Sequence, residues 1–378
     1  VRYASDQDLN DVTALATADP GGMLRAVADA GAQVRRALAA IDPDALRAVA
    51  DDGRPRAVVV AGMGGSGISG DVLEAICGTG CPVPVSTLRG YVLPGWVGPL
   101  DLVIAVSCSG RTEETLSVAT AAVTRGARLV GVGSPGSPLH DLVIQAPGAV
   151  FLGVDPGELM PRAALWLLAT PLLLLADALG LSSVPREALE RAADVLDETS
   201  VECGPVSPTA VNPAKLLGAS LATSLPMVWG TSPLGHVAAN RLACQLNENA
   251  KLPVVFGALP EANHNQVVAL DGPFVGSDDD DIFRDPVEDG AGPARLRLVL
   301  VRDFDEHGQD ARRADVSREI AERRGVPVEV LRAHDGHPVV RLASLVGLVD
   351  WASVYAAIAL GIDPSPIGPI NELKARIS

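Results

Sequence analysis

Ser107-Cys108-Ser109-Gly110-Arg111-Thr112 gathers three hydroxyls and a glycine within six residues. The stretch follows the apolar run Leu102–Val106 and precedes Glu113 and Glu114. Hydroxyls and backbone amides at the point where a strand gives way to a helix suit a phosphate. Such a group takes many donors and is favoured by the positive end of a helix. The same residues also read as plain capping, with Ser and Thr ahead of two glutamates in a capping box. Both readings can hold at once. A second stretch, Val58 to Leu73, runs from a β-branched segment into Gly62, Gly64, Gly65, Ser66, Gly67 and Gly70. It reads as strand, tight loop and helix, with Ile68, Val72 and Ile76 at helical spacing. Glycine allows close backbone approach to a ligand. A glycine turn alone is as readily a mere connection, but a second loop at the corresponding edge favours the phosphate reading.

To bring both loops to one edge, the chain must build a parallel sheet. The pattern predicts strands over 58–61, 84–88, 102–106, 128–132 and 149–153, with a helix after each of the two loops. Buried runs alternating with helices imply a sheet covered on both faces, with ligands at the carboxyl ends of its strands. Before it, residues 1–53 read as an N-terminal helical arm. It breaks at Asp19-Pro20-Gly21-Gly22, and Leu24, Val27, Val34 and Leu38 mark a helical face over Met23 to Ala50. Pro156 to Arg162 opens a helix that continues through Leu175, and 187–202 forms another. Residues 203–213, rich in Pro, Ser and Thr, read as a linker.

The second half repeats the theme. Strands are expected over 226–230, 253–256, 295–302 and 326–331. Helices are expected over 236–249, 310–324 and 339–360. Residues 271–293, with the run Asp278–Asp281, read as a mobile surface insertion. The acidic run could hold a cation, but a solvated loop is the simpler reading. The organisation is α/β: two tandem units, 54–205 and 206–378, each a parallel sheet flanked by helices, after the helical segment 1–53.

Composition limits the function classes. The 378 residues are 48% hydrophobic and only 3% aromatic, so a large aliphatic core is expected. A net charge of −16 argues against nucleic acid or an anionic membrane as the main partner. It also means that an anionic ligand must be held by local donors. The five cysteines, Cys77, Cys81, Cys108, Cys203 and Cys244, complete no zinc pattern and read as reduced thiols of a cytoplasmic protein. No signal segment is evident. The apolar run Ala163–Leu175 is short for a membrane span and contains Pro171.

Ala61-Gly-Met-Gly-Gly-Ser66-Gly and Val106-Ser-Cys-Ser-Gly-Arg-Thr-Glu-Glu-Thr115 resemble the two phosphate-cradling loops of sugar isomerase (SIS) domains. Pro161-Arg162-Ala-Ala-Leu165, Gln245-Leu-Asn-Glu248-Asn-Ala-Lys251, Asn263-His264-Asn265 and the segment Val354 to Lys374 narrow the resemblance. Together, and in this order, they resemble the bacterial and archaeal bifunctional phosphoglucose/phosphomannose isomerases over nearly the whole chain. The resemblance implies two tandem SIS domains, a homodimer with a shared active site, no metal and no cofactor. It implies interconversion of glucose 6-phosphate and/or mannose 6-phosphate with fructose 6-phosphate. Gly64, Gly65, Ser66, Ser107, Ser109 and Thr112 would hold the phosphate. Glu248 would move a proton between C1 and C2, and Arg162 would stabilise the enediolate. His264, from the partner subunit, would open the ring, and Lys374 would assist at the ring oxygen. One base that returns the proton it takes, a fixed cation beside a growing oxyanion and a group that titrates near neutrality suit this chemistry.

Each residue also has a plain structural reading. Glu248, three residues before Lys251, fits a surface ion pair. His264 between two asparagines fits a turn. Arg162 fits a cap or salt bridge, and Lys374 a solvated helix position. Three positions depart from the resemblance: Arg111 where asparagine is usual, Gln266 where an acid is usual, and Cys108 where tyrosine is common. They leave open a non-catalytic SIS protein that binds a phosphosugar and has a regulatory role. A DNA-binding regulator fits less well, because no basic module precedes residue 57.

Overall fold

The computed structural model describes residues 9–275 and 295–377. The run Asp278–Asp281, and most of the insertion expected over 271–293, lies outside the described residues. The chain divides into two compact units. One comprises Ala28–Asp197 and His337–Ala343, and the other the described residues of Val1–Val27, Glu198–Gly336 and Ser344–Ser378.

The first unit is built on a wholly parallel sheet of order β2-β1-β3-β4-β5. Its strands are β1 (Val58–Ala61), β2 (Val85–Leu88), β3 (Leu102–Ser107), β4 (Arg128–Gly133) and β5 (Val150–Gly153). Every residue of β1 and β3 is buried. Unbroken apolar runs require this of central strands covered on both faces. The chain steps from β1 to one side for β2 and then to the other side for β3. The strand order therefore reverses between β1 and β3, where parallel sheets open a crevice at their carboxyl ends. The glycine and serine loops leave these two neighbouring strands.

The expected single helical stretch over Met23–Ala50 is three helices. After α1 (Val12–Ala18) come α2 (Met23–Ala28), α3 (Ala30–Ala40) and α4 (Pro43–Asp51). Side-chain caps mark the starts of α2 and α4, whereas Asp29, between α2 and α3, makes no side-chain cap bond. Asp19 accepts from the Met23 and Leu24 amides at 2.8 and 2.7 Å, and Asp42 caps α4 with Pro43 as its first residue. Gly31 in α3 is a close-packing position, since a Cβ there would lie 2.6 Å from the Ala193 carbonyl.

The helix after β1, α5 (Gly64–Cys77), begins earlier than the apolar spacing suggests and takes in the glycines themselves. The serine loop leads into α6 (Glu113–Thr124). Then follow α7 (Pro138–Gln145), which the pattern did not mark, α8 (Leu165–Ala178) and α9 (Arg186–Cys203). Val59, Ala61, Val103 and Ala105 of the sheet pack with Val118, Ala119 and Ala122 of α6 and Leu139 and Val143 of α7. Each such branched side chain, fully buried, contributes roughly 1.5–3 kcal/mol.

The second unit holds the parallel sheet β7-β6-β8-β9. Its strands are β6 (Ser224–Gly230), β7 (Val255–Ala258), β8 (Arg295–Arg302) and β9 (Val328–Arg332). β6 is central yet contains Pro226. The proline is tolerated because β7 pairs only with Met227–Gly230, leaving Pro226 without a neighbour on that side. Its helices are α10 (Pro213–Ala222), α11 (Pro233–Gln245) and α12 (Gly308–Glu322). α13 (Pro338–Ala359) and α14 (Gly368–Ile377) follow. α13 is long and apolar enough to cross a membrane, but 94% of its apolar window is buried.

The segment expected as a linker over 203–213 is pinned. Lys215, fully buried, donates from Nζ to the carbonyls of Pro205 and Ser207 at 2.8 Å each. Asn212 donates to the Gly204 carbonyl, and the Tyr355 hydroxyl to that of Cys203. These side chains satisfy the carbonyls of a segment whose composition alone suggests a free loop.

Candidate active site

The two loops at the sheet reversal are physically joined. The Cys108 amide donates to Ser66 Oγ at 3.3 Å, linking the serine loop to the first turn of α5. Within the serine loop, the Ser107 and Thr112 hydroxyls lie 2.9 Å apart, and the Thr112 amide points at Ser107 Oγ at 3.4 Å. Ser109 Oγ accepts from the Arg111 amide at 3.3 Å and is exposed. Thr112 occupies the N-cap position of α6 but makes no side-chain cap bond. Its hydroxyl turns to Ser107 instead. The capping-box reading is therefore not realised by Thr112, and the opening amides of α6 keep the polarity that suits an anion.

Support comes from behind. Gly110 has φ +63° and a Cβ there would collide with Ser137 Oγ, so only glycine fits the turn. The Ser134 hydroxyl donates to the Cys108 carbonyl at 2.6 Å. Burial pushes the Cys108 thiol up to about 11, so it is no ready nucleophile. All five cysteines are free thiols, and burial beside Cys81 pushes Cys77 up to about 12.

Arg162 lies in a 3₁₀ turn, Pro161–Ala163, immediately before α8, and is buried. The turn packs directly on the glycine loop. A Cβ on Gly65 would stand 2.9 Å from the Pro161 carbonyl oxygen and 3.6 Å from Arg162 Cα. Ser66, Ser107, Ser109, Thr112 and Arg162 thus belong to one unit, with the Arg162 turn seated against the loop that carries Ser66.

Glu248, His264 and Lys374 belong to the other unit. Glu248 is half-buried in a π-helical turn, Leu246–Ala250, that continues α11. Wide turns of this kind recur at functional sites. The turn ends at Lys251, which is left-handed at φ 55°, uncommon for a side chain with a Cβ. The Lys251 ammonium donates to the carbonyls of Glu248, Asn249, Asp363 and Pro364 at 3.0–3.3 Å and fixes that turn. From the other side, Asn249 donates to Ser353 Oγ at 2.9 Å. The buried Arg241–Asp350 pair, at 2.8 and 3.0 Å, anchors α11 to α13.

His264 is exposed at the end of the 3₁₀ turn Glu261–His264. Its neighbours are tied down. Asn263 donates to Ser317 Oγ at 2.8 Å and Asn265 to Glu261 at 2.9 Å. A cavity of about 340 Å³ opens beside this turn, lined among others by Asn263, Val267, Arg312, Arg313 and Ser317. Gln266 accepts from the Trp229 indole at 2.7 Å and donates to the Phe256 carbonyl at 2.9 Å. That pairing needs an amide, because a carboxylate cannot donate to a carbonyl. Lys374 is exposed on α14, which buries no residue.

Gln33 and the serines Ser134 and Ser137 escaped the reading from sequence. Gln33 falls at helical spacing with Ala30 and Ala37 on the buried face of α3, a polar residue where apolar ones are expected. The turn Ser134-Pro-Gly-Ser137-Pro follows β4 and signals the buttress behind the serine loop.

A family model, bacterial phospho-glucose isomerase C-terminal SIS domain, matches residues 210–377. A protein of Caldicellulosiruptor bescii named bifunctional phosphoglucose/phosphomannose isomerase is 32% identical over 323 residues, covering 85% of this chain and 89% of that protein. One of the same name from Aquifex aeolicus is 29% identical over 329 residues, covering 85% and 90%. The crystal structure of tagatose-6-phosphate ketose/aldose isomerase from Escherichia coli superposes with a TM-score of 0.64 at 14% identity, covering 96% of each chain. At that identity the likeness is of fold alone. The chain belongs to the bifunctional phosphoglucose/phosphomannose isomerase family of SIS-domain proteins.

Proposed function

We propose that this chain is a phosphosugar isomerase interconverting fructose 6-phosphate with glucose 6-phosphate and mannose 6-phosphate. The observation that carries the reading is the joined cradle. Ser66 bonds the Cys108 amide, and the Ser107 and Thr112 hydroxyls stand 2.9 Å apart at the start of α6. A phosphate there meets hydroxyls, amides and a helix N-terminus together, with Gly64 and Gly65 allowing close backbone approach.

In this reading Glu248 takes a proton from C1 of the open-chain ketose as negative charge builds on the C2 oxygen. Arg162, always charged, stabilises that enediolate. Glu248 then returns the proton to C2, while a proton passes from the C1 hydroxyl to O2. The aldose results. Rotation about C2–C3 in the intermediate exposes either face, so one carboxylate serves both epimers. His264 opens the ring as proton donor and acceptor, from the partner subunit of a homodimer, and Lys374 assists at the ring oxygen. The exposure of His264 is consistent with service to a second chain.

The test supplies purified protein with fructose 6-phosphate in the presence of a chelator and measures both aldose phosphates. Appearance of both is expected. Saturable binding of the sugar phosphate with no turnover would mean a binding protein instead.

A further inference from the structure

We infer that Gln33 is a positioning residue for Arg162, an inference that rests on the role proposed for that arginine. Gln33 is fully buried and lies 130 positions from the turn it touches. Its Nε2 donates to the Ala163 carbonyl at 2.8 Å, and its Oε1 accepts from the Leu167 amide at 3.3 Å. Leu167 is the third residue of α8, whose N-cap position is Ala164. Its amide is the one that a capping serine or aspartate would take, and alanine has nothing to offer it. The cap comes instead from a side chain on α3.

The same amide group therefore fixes both ends of the peptide segment that follows Arg162. On the other side, the Pro161 carbonyl abuts Gly65 of the phosphate loop. Arg162 is held between these two contacts, so the direction in which its backbone presents the guanidinium depends on Gln33. Only a side chain that both donates and accepts meets the two groups. Leucine strands a buried carbonyl and a buried amide. A glutamate carboxylate accepts from Leu167 but faces the Ala163 carbonyl with no proton to give.

The experiment compares Gln33→Leu and Gln33→Glu with the wild-type protein. It reads kcat and KM for fructose 6-phosphate across pH and the inhibition constant of inorganic phosphate, which reports the loops alone. Misplacing a transition-state group is expected to lower kcat by about 10- to 100-fold in Gln33→Leu. The phosphate inhibition constant should stay unchanged. Gln33→Glu should lose kcat at neutral pH and regain it as pH falls, because the protonated carboxyl can again donate to Ala163. This near-isosteric variant keeps the test decisive if Gln33→Leu does not fold. Wild-type kcat in Gln33→Leu, a phosphate constant that worsens in step with kcat, or a wild-type pH profile in Gln33→Glu would overturn the inference. A wild-type protein with no turnover would overturn the proposed function itself. Full activity in Arg162→Gln would remove the arginine's role while leaving the isomerase reading in place.

Discussion

Ser66 Oγ accepts the Cys108 amide across the point where the first sheet reverses its strand order. This bond makes one structure of two loops that are separate in sequence. The turn that follows Ser107 at the end of β3 meets Ser66, in the first turn of α5, because β1 and β3 are neighbours in parallel register, Val58 opposite Leu102. The proposed phosphate cradle follows from topology as much as from the hydroxyls.

Removing one hydroxyl of the cradle should weaken binding rather than chemistry. Ser107→Ala deletes the partner of Thr112 Oγ1 at 2.9 Å. A hydrogen bond to a charged group is worth about 1.5–3 kcal/mol, so KM for fructose 6-phosphate should rise about 10-fold or more with kcat little changed. Steady-state kinetics decide it. A fall in kcat at constant KM would place Ser107 in the chemical step instead.

Gly65→Ala tests the contact between the glycine loop and the Arg162 turn. Alanine favours a helix over glycine by about 1 kcal/mol. The new Cβ, however, would press on the Pro161 carbonyl oxygen at 2.9 Å. Turnover should drop about 10-fold or more as the turn is displaced, while thermal unfolding changes little. Unaltered turnover would show that the turn yields without moving Arg162.

The support beneath Glu248 should be costly to break. Arg241 and Asp350 are buried, and Gln245 also donates to Asp350 Oδ1 at 3.3 Å. Asp350→Asn removes the carboxylate that faces the buried Arg241 guanidinium, a loss of about 3–5 kcal/mol in urea unfolding. Replacing both partners with apolar residues of similar volume should recover most of it. A single-variant loss under about 1 kcal/mol would contradict the burial argument.

Acid should weaken the second unit through His236. Burial is the main influence on this imidazole and moves its pKa below the ordinary 6.5, while its Nε2 bonds the Leu259 carbonyl. The folded state thus resists protonation more than the unfolded chain does. Stability from this site is full above 6.5 and falls as pH drops through it toward the depressed folded value. His236→Gln keeps a donor for Leu259 but cannot titrate. It should lose less stability than wild type between about pH 7.5 and about pH 5.5, as read by urea unfolding. Parallel losses would assign the acid sensitivity elsewhere.

Residues whose own neighbours dictate their state were legible in the sequence. The runs of β1 and β3 could only be buried strands, and the hydroxyls before Glu113 marked a helix start. What escaped depended on distant partners. Gly64 to Gly67 read as loop because glycine is a poor helix former, yet they open α5, where a Cβ at Gly65 would lie 2.9 Å from the Pro161 carbonyl oxygen. Residues 203–213 read as linker because their anchors, Lys215 and Tyr355, lie outside the segment. Gln266 read as a missing acid, whereas Trp229 and the Phe256 carbonyl explain an amide. Gln33 gave only the faint signal of polarity on an apolar face.

The most direct measurement follows fructose 6-phosphate by NMR in deuterated water, with a chelator present, for wild type and Glu248→Gln. The account predicts that wild type forms both glucose 6-phosphate and mannose 6-phosphate, that C2 acquires solvent deuterium whenever the shared proton exchanges, and that Glu248→Gln binds the ketose without converting it. Formation of neither aldose by a wild-type protein that binds fructose 6-phosphate, or undiminished conversion by Glu248→Gln, would contradict it.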